Sequence, residues 1–222
     1  MTAFERPKSL TELVTEEIRR QIVEGRVDLG EALSEMKLAT ALDVSRTPVR
    51  EAFNRLEMEG LVRTEPQRGT FVFSLEPKEL AKICDVRVCL ETAALKAAFQ
   101  SDRQALLKQL TACTDAMAKA RKAGDDDAYL REDARFHQRI VDSADNRFLN
   151  DAYQTIATKM AALRHRLGRH PDHMAKSYTE HTEIAASVAA GDLDRANAIL
   201  IDHIDRKEGS YWNEAAFDVA SA

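Results

Sequence analysis

Hydrophobic residues recur along most of the chain with the spacing of amphipathic helices. One segment carries five of them at alternating steps of four and three: Leu106, Leu110, Cys113, Met117 and Ala120. This spacing places them on one face of an α-helix. Similar patterns, separated by sparse Gly, Pro and Asp-Asn breakers, predict helices near residues 77–100, 102–123, 125–144, 146–168, 173–190 and 192–213. Because the turns between them are short, we expect an antiparallel all-helical bundle.

The first 75 residues follow a different pattern, of three short helices and a β-hairpin. Ser9 and Glu12 have capping-box spacing at the start of the first helix, and a tight turn at Asp43 separates the second helix from the third. Hydrophobic strands at residues 61–64 and 70–73 flank a turn that contains Pro and Gly. Three helices followed by a hairpin predict a winged helix-turn-helix. The fold class is therefore mainly α.

Proline usage and composition set the boundaries of this interpretation. Four of the five prolines lie in the first 77 residues, so we place a domain boundary between residues 1–75 and 76–222. The three cysteines match no disulfide or zinc-ribbon spacing, and no stretch of 18 apolar residues occurs. A cytoplasmic protein without a membrane partner is expected.

The formal charge is −5, and residues 1–75 carry 11 Lys and Arg against 13 Asp and Glu. Nucleic-acid binding therefore requires a local surface rather than a basic domain.

The third predicted helix offers such a local surface. Arg46 and Arg50 are four residues apart and share one helical face. Arginine can bind the major-groove edge of guanine with two hydrogen bonds, whereas Ser45, Thr47 and the free N–H groups of the first turn suit phosphate. Arg68 at the hairpin tip is placed to reach the adjacent DNA backbone or minor groove. The alternative is an ordinary solvated face, since polar residues at helical spacing are common.

Four potential metal ligands lie on apolar helical faces of the bundle. Asp133 and His137 are four residues apart, and His181 and His203 lie on the hydrophobic faces of two later helices. One carboxylate and three imidazoles can form a zinc, nickel or manganese site with open coordination positions. The alternative is that each histidine is a hydrogen-bonded core residue.

Arg87 and Glu91 also lie on an inward face, that of the first bundle helix. A buried arginine requires an anion, either a bound ligand or, at this spacing of four, Glu91 itself. An organic acid that binds the metal and contacts Arg87 would satisfy both charges.

The segment Leu42-Asp43-Val44-Ser45-Arg46-Thr47-Pro48-Val49-Arg50-Glu51-Ala52, with Glu59-Gly60-Leu61-Val62 and Arg68-Gly69 behind it, closely resembles the signature of the GntR family of bacterial transcription regulators. The resemblance implies a homodimer that binds an inverted-repeat operator through Arg46, Thr47, Arg50, Arg68 and Gly69. Two positions depart from the family pattern: Asp43 replaces the usual Gly, and Met36 replaces a frequent Arg.

The second half resembles the helical FCD domain of the FadR-like branch of that family. The resemblance rests on five short elements in order: Asp133-Ala134-Arg135-Phe136-His137, Asn146, Glu180-His181, Gly191-Asp192 and His203. It implies that Asp133, His137, His181 and His203 bind a metal. It also implies that Arg87 and Asn146 lie near a carboxylate effector.

Together these features predict a ligand-responsive bacterial transcription regulator, more often a repressor in such families. Its helical domain is expected to bind a divalent metal, with zinc as first choice and nickel or manganese as alternatives. A small carboxylate would then modulate operator affinity. A regulator that responds to the metal alone, or a metal-dependent enzyme using the same Asp and His residues, are the alternatives. We do not expect an enzyme, because the inward positions supply no evident further base or nucleophile besides Glu91.

Overall fold

The computed structural model describes residues 7–205 of the 222-residue chain. Within that range the chain forms eight helices and three short strands, which confirms the mainly α class. It divides into two compact units between Ser74 and Leu75, one residue before the boundary that the sequence predicts. None of the helices in the described range is long and apolar enough to cross a lipid bilayer.

The first unit is a winged helix-turn-helix. Its elements, in chain order, are α1 (Leu10–Val23), β1 (Ala32–Leu33), α2 (Glu35–Ala41), α3 (Arg46–Met58), β2 (Val62–Glu65) and β3 (Gly69–Val72). The strands form an antiparallel sheet in the order β1-β3-β2, with Phe71 of β3 opposite both Ala32 and Arg63. The sequence pattern does not predict β1, because a strand of two residues is too short to show an alternation of apolar and polar positions.

Local side-chain chemistry explains where these helices begin. The Ser9 side chain accepts a hydrogen bond from the Glu12 amide (3.2 Å), and the Glu12 carboxylate accepts one from the Ser9 amide (2.7 Å), so the predicted capping box is present. Ser34 caps α2 in a similar way. Ser45 occupies the corresponding position before α3, but its side chain makes no capping hydrogen bond. Its hydroxyl is thus not committed to the helix.

Asp43 explains the tight turn between α2 and α3. Its φ angle is +52°, in the left-handed region that glycine adopts most easily. An aspartate tolerates this conformation better than most residues, although at some cost. The helix-turn-helix geometry therefore survives the departure from the usual Gly.

The second unit is a helix bundle. Its elements are α4 (Pro77–Ala123), α5 (Asp126–Asp142), α6 (Arg147–Leu167), α7 (Pro171–Ala190) and α8 (Leu193–Ile204). The first two predicted helices follow each other without a loop, and α4 is broken only at Asp102 (φ −149°, ψ 86°). The Asp102 carboxylate accepts a hydrogen bond from the Ala105 amide (2.9 Å) and so caps the second half. The predicted end of the last helix, at residue 213, lies outside the described residues.

Helix α4 packs against α5, α6, α7 and α8 and thus forms the centre of this unit. Hydrophobic side chains from all five helices fill the core. Polar and charged side chains are buried in the same unit. Six of them lie at positions that the sequence pattern predicts to face inward: Arg87, Glu91, Asp133, His137, His181 and His203. Two more, Arg164 and Ser177, lie at positions that the pattern does not predict to face inward. Burial of so many polar groups is unusual in a helical core and identifies the candidate site.

Candidate functional site

The exposed face of α3 carries the predicted DNA-binding arginines. The opposite face anchors the helix, because Val49, Phe53 and their apolar neighbours are buried. The Arg46 and Arg50 side chains remain 62% exposed, and both bind the carboxylate of Glu35 on α2. Arg46 Nη2 lies 2.8 Å from Glu35 Oε2, and Arg50 donates to both oxygens at 3.1 and 3.0 Å. The structure thus brings the two arginines together on one surface.

Glu35 is the one acidic group bonded to both of these arginines within residues 7–205. Hydrogen bonds from Arg50 and Arg46 lower the pKa of Glu35 to about 2. The carboxylate is therefore charged at neutral pH and holds both guanidinium groups in place, but it also offsets part of their positive charge. Sequence reasoning did not identify this role for Glu35.

The wing presents the remaining predicted arginine. Arg68 is 73% exposed at the hairpin tip and forms an ion pair with Glu65, which also binds Arg63 (2.8 Å). Gln67 adopts a left-handed conformation (φ +64°) and turns the chain there. Gly69, Ser45 and Thr47 are exposed as well. All six predicted DNA-contact residues therefore lie on the surface of the first unit.

In the bundle, the structure brings three of the four predicted metal ligands together. His137 on α5, His181 on α7 and His203 on α8 each offer one ring nitrogen, and these nitrogens lie within 4.8 Å of one another. His137 Nε2 is 3.3 Å from His181 Nε2 and 3.2 Å from His203 Nε2. All three residues are buried. We call this group the histidine cluster.

Two carboxylates orient the outer nitrogens of the cluster. His137 Nδ1 lies 2.6 Å from Glu91 Oε2, and His203 Nδ1 lies 2.8 Å from Glu180 Oε2. Because a carboxylate accepts hydrogen bonds, each Nδ1 carries the proton. The 3.2 Å approach of Arg87 Nη2 to His137 Nδ1 is then a contact without a shared proton, since both atoms are donors. This arrangement turns each Nε2 toward the cluster, as in carboxylate–histidine–metal sites.

Burial strongly favours the neutral form of the cluster. Burial lowers the pKa of His137 well below its usual value, and the charges of Arg164 and Arg87 lower it further. Burial, together with His203, lowers the pKa of His181 to about 3. Neutral imidazoles are the form that binds metal ions.

Asp133, the fourth predicted ligand, lies next to the cluster but bonds to other side chains. Its carboxylate binds Arg164 Nε (3.0 Å) and accepts a hydrogen bond from Ser177 (2.8 Å), while His181 Nδ1 is 3.7 Å away. Burial raises the pKa of Asp133, but His181 and Arg164 outweigh this effect and hold the pKa well below its usual range. Asp133 is thus a charged neighbour of His181, on the ring edge that faces away from His137.

Arg87 forms the internal ion pair that the sequence offered as an alternative to ligand binding. Arg87 Nε lies 2.8 Å from Glu91 Oε1, and both side chains are fully buried. The Tyr153 hydroxyl also donates to Glu91 Oε1 (3.2 Å). Even so, Arg87 Nη1 has no hydrogen-bond partner among the described residues, and the same holds for Arg164 Nη2.

One predicted pocket residue lies elsewhere. Asn146 is exposed at the start of α6, where its side chain accepts hydrogen bonds from the amides of Phe148 (3.1 Å) and Leu149 (3.2 Å). It serves there as a helix cap, so its predicted place beside the effector is corrected. Conversely, Arg164 is a buried residue of the site that the sequence pattern does not predict. Its position within the basic run Arg164-His165-Arg166 suggested a solvated helix end, although four-residue spacing from the buried Met160 was a signal for an inward position.

Comparisons with known proteins agree with this geometry. Residues 10–72 match the family described as bacterial regulatory proteins, gntR family, and residues 82–206 match the FCD domain. The chain belongs to the GntR family. The Nta operon transcriptional regulator of Aminobacter aminovorans is 30% identical over 181 residues, which cover 80% of this chain and 82% of that protein.

Other relatives of this GntR-family regulator are consistent with the assignment. The gluconate operon transcriptional repressor of Bacillus subtilis is 33% identical over 150 residues, or 68% of this chain and 61% of that repressor, less than two thirds of its length. A solved GntR regulator from Rhodococcus has the same fold, with a TM-score of 0.77 and 24% identity across 97% of this chain and 99% of that one. The families and relatives are transcription regulators rather than enzymes. The protein is therefore a DNA-binding transcription regulator with an FCD domain.

The ion pair between Asp133 and Arg164 leads to a stability prediction. Replacing Asp133 with Asn keeps the shape of the side chain but leaves a buried guanidinium without its counter-charge. We expect Asp133→Asn to lower the free energy of unfolding by about 3 kcal/mol, measured by chemical denaturation without added metal. Asp142→Asn on the exposed end of the same helix is the control and should change it by less than about 0.5 kcal/mol. Equal effects of the two substitutions would contradict the buried pair.

Glu35 leads to a prediction about DNA binding. Glu35→Gln removes the carboxylate that offsets Arg46 and Arg50, so the affinity for random-sequence duplex DNA should rise several-fold at low salt. The salt dependence should also steepen, because more phosphate contacts release counterions. Fluorescence anisotropy at several salt concentrations measures both quantities. Glu16→Gln, which breaks a comparable surface pair with Lys8, should change neither. Unchanged or weaker random-DNA binding by Glu35→Gln would count against this role.

Proposed function

We propose that this regulator represses transcription by binding an inverted-repeat operator as a homodimer, and that a divalent metal and a small carboxylate in the bundle control operator affinity. The histidine cluster is the observation on which the effector half of this proposal rests. The relative named as a repressor of the gluconate operon supports repression as the sign of control. The proposal implies a cytoplasmic location, because bacterial DNA lies there.

The surface of α3 supports the DNA-binding half at the level of residues. Arg46 and Arg50 are exposed on the helix that follows the helix-turn-helix turn, and Glu35 holds their guanidinium groups side by side. Paired arginines of this kind suit the guanine edge in the major groove. Ser45 and Thr47 lie at the start of α3, where free amides and hydroxyls suit phosphate. Arg68 and Gly69 at the wing tip complete the proposed contact set.

The donor chemistry of the histidine cluster fits a divalent metal. Because Nδ1 carries the proton in both rings, the Nε2 atoms of His137 and His203 face each other at 3.2 Å with no proton to share. His137 Nε2 can accept a hydrogen bond only from His181 Nε2, at 3.3 Å. A cation between the rings would accept electron density from all three nitrogens. Three imidazoles suit zinc or nickel, and manganese would depend on the added carboxylate ligand. We include Asp133 as the proposed fourth ligand because the family resemblance implies it. In the structure its carboxylate lies 3.7 Å from His181 Nδ1 and is held by Arg164 and Ser177.

Charge supports an anionic effector at the same place. Arg87 with Glu91, and Arg164 with Asp133, form two buried pairs that are each neutral overall. A divalent cation added to neutral imidazoles would leave two positive charges uncompensated in a buried site. A carboxylate bound to the metal offsets that charge and gives Arg87 Nη1 a partner.

Because the site is buried, effector binding can be coupled to the conformation of the bundle. The cluster side chains are at most 5% exposed, so a ligand reaches them only after the surrounding helices separate locally. We infer that the bound ligand keeps these helices in an arrangement that differs from the one described here. A regulator needs such a population shift, and by linkage the operator would weaken effector binding by the same factor.

Arg50 allows a direct test of DNA recognition. A duplex selected by this protein from a random library serves as the operator probe. Arg50→Ala should lower affinity for that duplex by about tenfold or more, because a bidentate base contact contributes about 1–3 kcal/mol. Arg55→Ala is the matched control, since Arg55 lies on the same helix but lines a groove beside α1. Gel-shift titration compares the two. Equal operator affinities for Arg50→Ala and Arg55→Ala would rule out the assigned surface.

The histidine cluster allows a test of the effector half. The full-length chain, loaded with zinc, should release the selected duplex when a panel of sugar acids, hydroxy acids and dicarboxylates is added, and a chelator should abolish the response. His181→Ala should lose both bound zinc, measured by elemental analysis, and the response. His173→Ala, outside the cluster, should lose neither. Release of DNA by zinc alone would favour the metal-responsive alternative, and an effector response that survives chelation would contradict the proposal.

A further inference from the structure

Two buried guanidinium groups approach the histidine cluster from different helices. Arg87 extends from α4 and Arg164 from α6, and their side chains are 0% and 5% exposed. Arg87 Nη2 lies 3.2 Å from His137 Nδ1. Arg164 Nε lies 3.0 Å from the Asp133 carboxylate, which is 3.7 Å from His181 Nδ1, so both guanidinium groups adjoin the cluster. Each has one terminal nitrogen, Arg87 Nη1 or Arg164 Nη2, without a hydrogen-bond partner in residues 7–205. A buried N–H without a partner is costly, and one on a charged group more so.

The two unpartnered nitrogens belong to separate ion pairs. Arg87 is held by Glu91 through Nε (2.8 Å), and Arg164 is held by Asp133 through Nε (3.0 Å). In both cases the carboxylate binds Nε and leaves a terminal nitrogen available. Planar guanidinium groups use such nitrogens to bind carboxylates. The site thus offers two anchoring points for anionic groups rather than one.

The charge balance of the site also indicates two anionic groups in the ligand. Two arginines and two carboxylates cancel, and histidine rings that bind a metal ion are neutral. The outer carboxylate, Glu180, is partly exposed and lies 3.6 Å from Lys176, so it has its own counter-charge. A divalent cation in the cluster therefore adds a charge of two that a single carboxylate only half compensates.

We propose that the effector is a small dicarboxylate, and that Arg87 and Arg164 each bind one of its two carboxylates. This inference rests on the proposed metal and carboxylate site and specifies its ligand class. It assigns an effector-binding role to Arg164, a residue that neither the sequence pattern nor the family resemblance singled out. A monocarboxylate would leave one of the two terminal nitrogens without a partner.

The test compares pairs of ligands in which one member lacks the second carboxylate. Isothermal titration calorimetry of the zinc-loaded full-length chain is performed with succinate and with succinamate, in which one carboxylate is replaced by an amide of nearly the same shape. Malate and 3-hydroxybutyrate form a second pair. We expect each dicarboxylate to bind at least about tenfold more tightly than its monoanionic partner, as is typical for a charge-assisted hydrogen bond. Inorganic phosphate, a single compact anion, should bind more weakly than succinate.

Substitutions test which residue causes the preference for dicarboxylates. Arg164→Gln should reduce the succinate preference to about twofold or less, and Arg135→Gln, an exposed arginine on α5, should leave it unchanged. Circular dichroism and zinc content verify that each variant is folded and loaded. If Arg164→Gln does not fold, the comparison of ligand pairs on the unmodified chain still decides the matter.

Each outcome separates this inference from the function on which it rests. Equal affinities within both ligand pairs would overturn the dicarboxylate assignment and leave the carboxylate site intact. Tighter binding of phosphate than of succinate would overturn it as well. Absence of binding by every carboxylate, with zinc bound, would instead overturn the proposed function and this inference with it.

Discussion

The bundle is organised around the burial of charge. Arg87, Glu91, Asp133 and Arg164 are all withdrawn from water, and each would be costly if its partner were absent. Arg87 and Glu91 are one turn apart on α4, so helical spacing lets each compensate the charge of the other. The other pair joins α5 to α6. Such pairs stabilise a helical core less than hydrophobic residues of equal volume would, so their presence is better explained by the ligand site that we propose.

The same charges determine the chemistry of the histidine cluster. Burial and two nearby guanidinium groups keep His137 neutral, and Glu91 fixes which of its nitrogens carries the proton. The ring nitrogen that faces His181 and His203 is then the one with a lone pair. An ordinary core histidine needs only a hydrogen-bond partner, whereas this arrangement orients three rings toward a common point. The proposed metal site would account for this common orientation of the three rings.

The DNA-binding unit, in contrast, keeps its functional charges exposed on the surface. A charge of −2 over residues 1–75 supplies no general attraction to DNA, and Glu35 even offsets the recognition arginines. Non-specific affinity is thereby kept low, while the pairing holds Arg46 and Arg50 in a defined geometry. Recognition then depends on a few placed contacts, which the proposed homodimer would double. A regulator that must leave its operator benefits from this balance.

Much of this arrangement was predictable, for physical reasons that also explain the exceptions. The inward positions of His137, His181 and His203 follow from helical periodicity, because apolar residues lie three and four positions from each of them on at least one side. Capping residues and turns located the helices. Arg164 was missed because its sequence neighbours are basic, and Asn146 was misplaced because a helix cap and a polar ligand contact use the same residue type. Contacts between helices, such as that of Asp133 with Arg164, leave no signal in local spacing.

The central claim is that one divalent cation binds three histidines in the bundle. X-ray absorption spectroscopy at the zinc edge, on the full-length chain loaded with one equivalent of zinc, tests it most directly. The account predicts three imidazole nitrogens at about 2.0–2.1 Å, with the remaining positions filled by oxygen. A spectrum with oxygen ligands alone, or with sulfur from the cysteines, would contradict it.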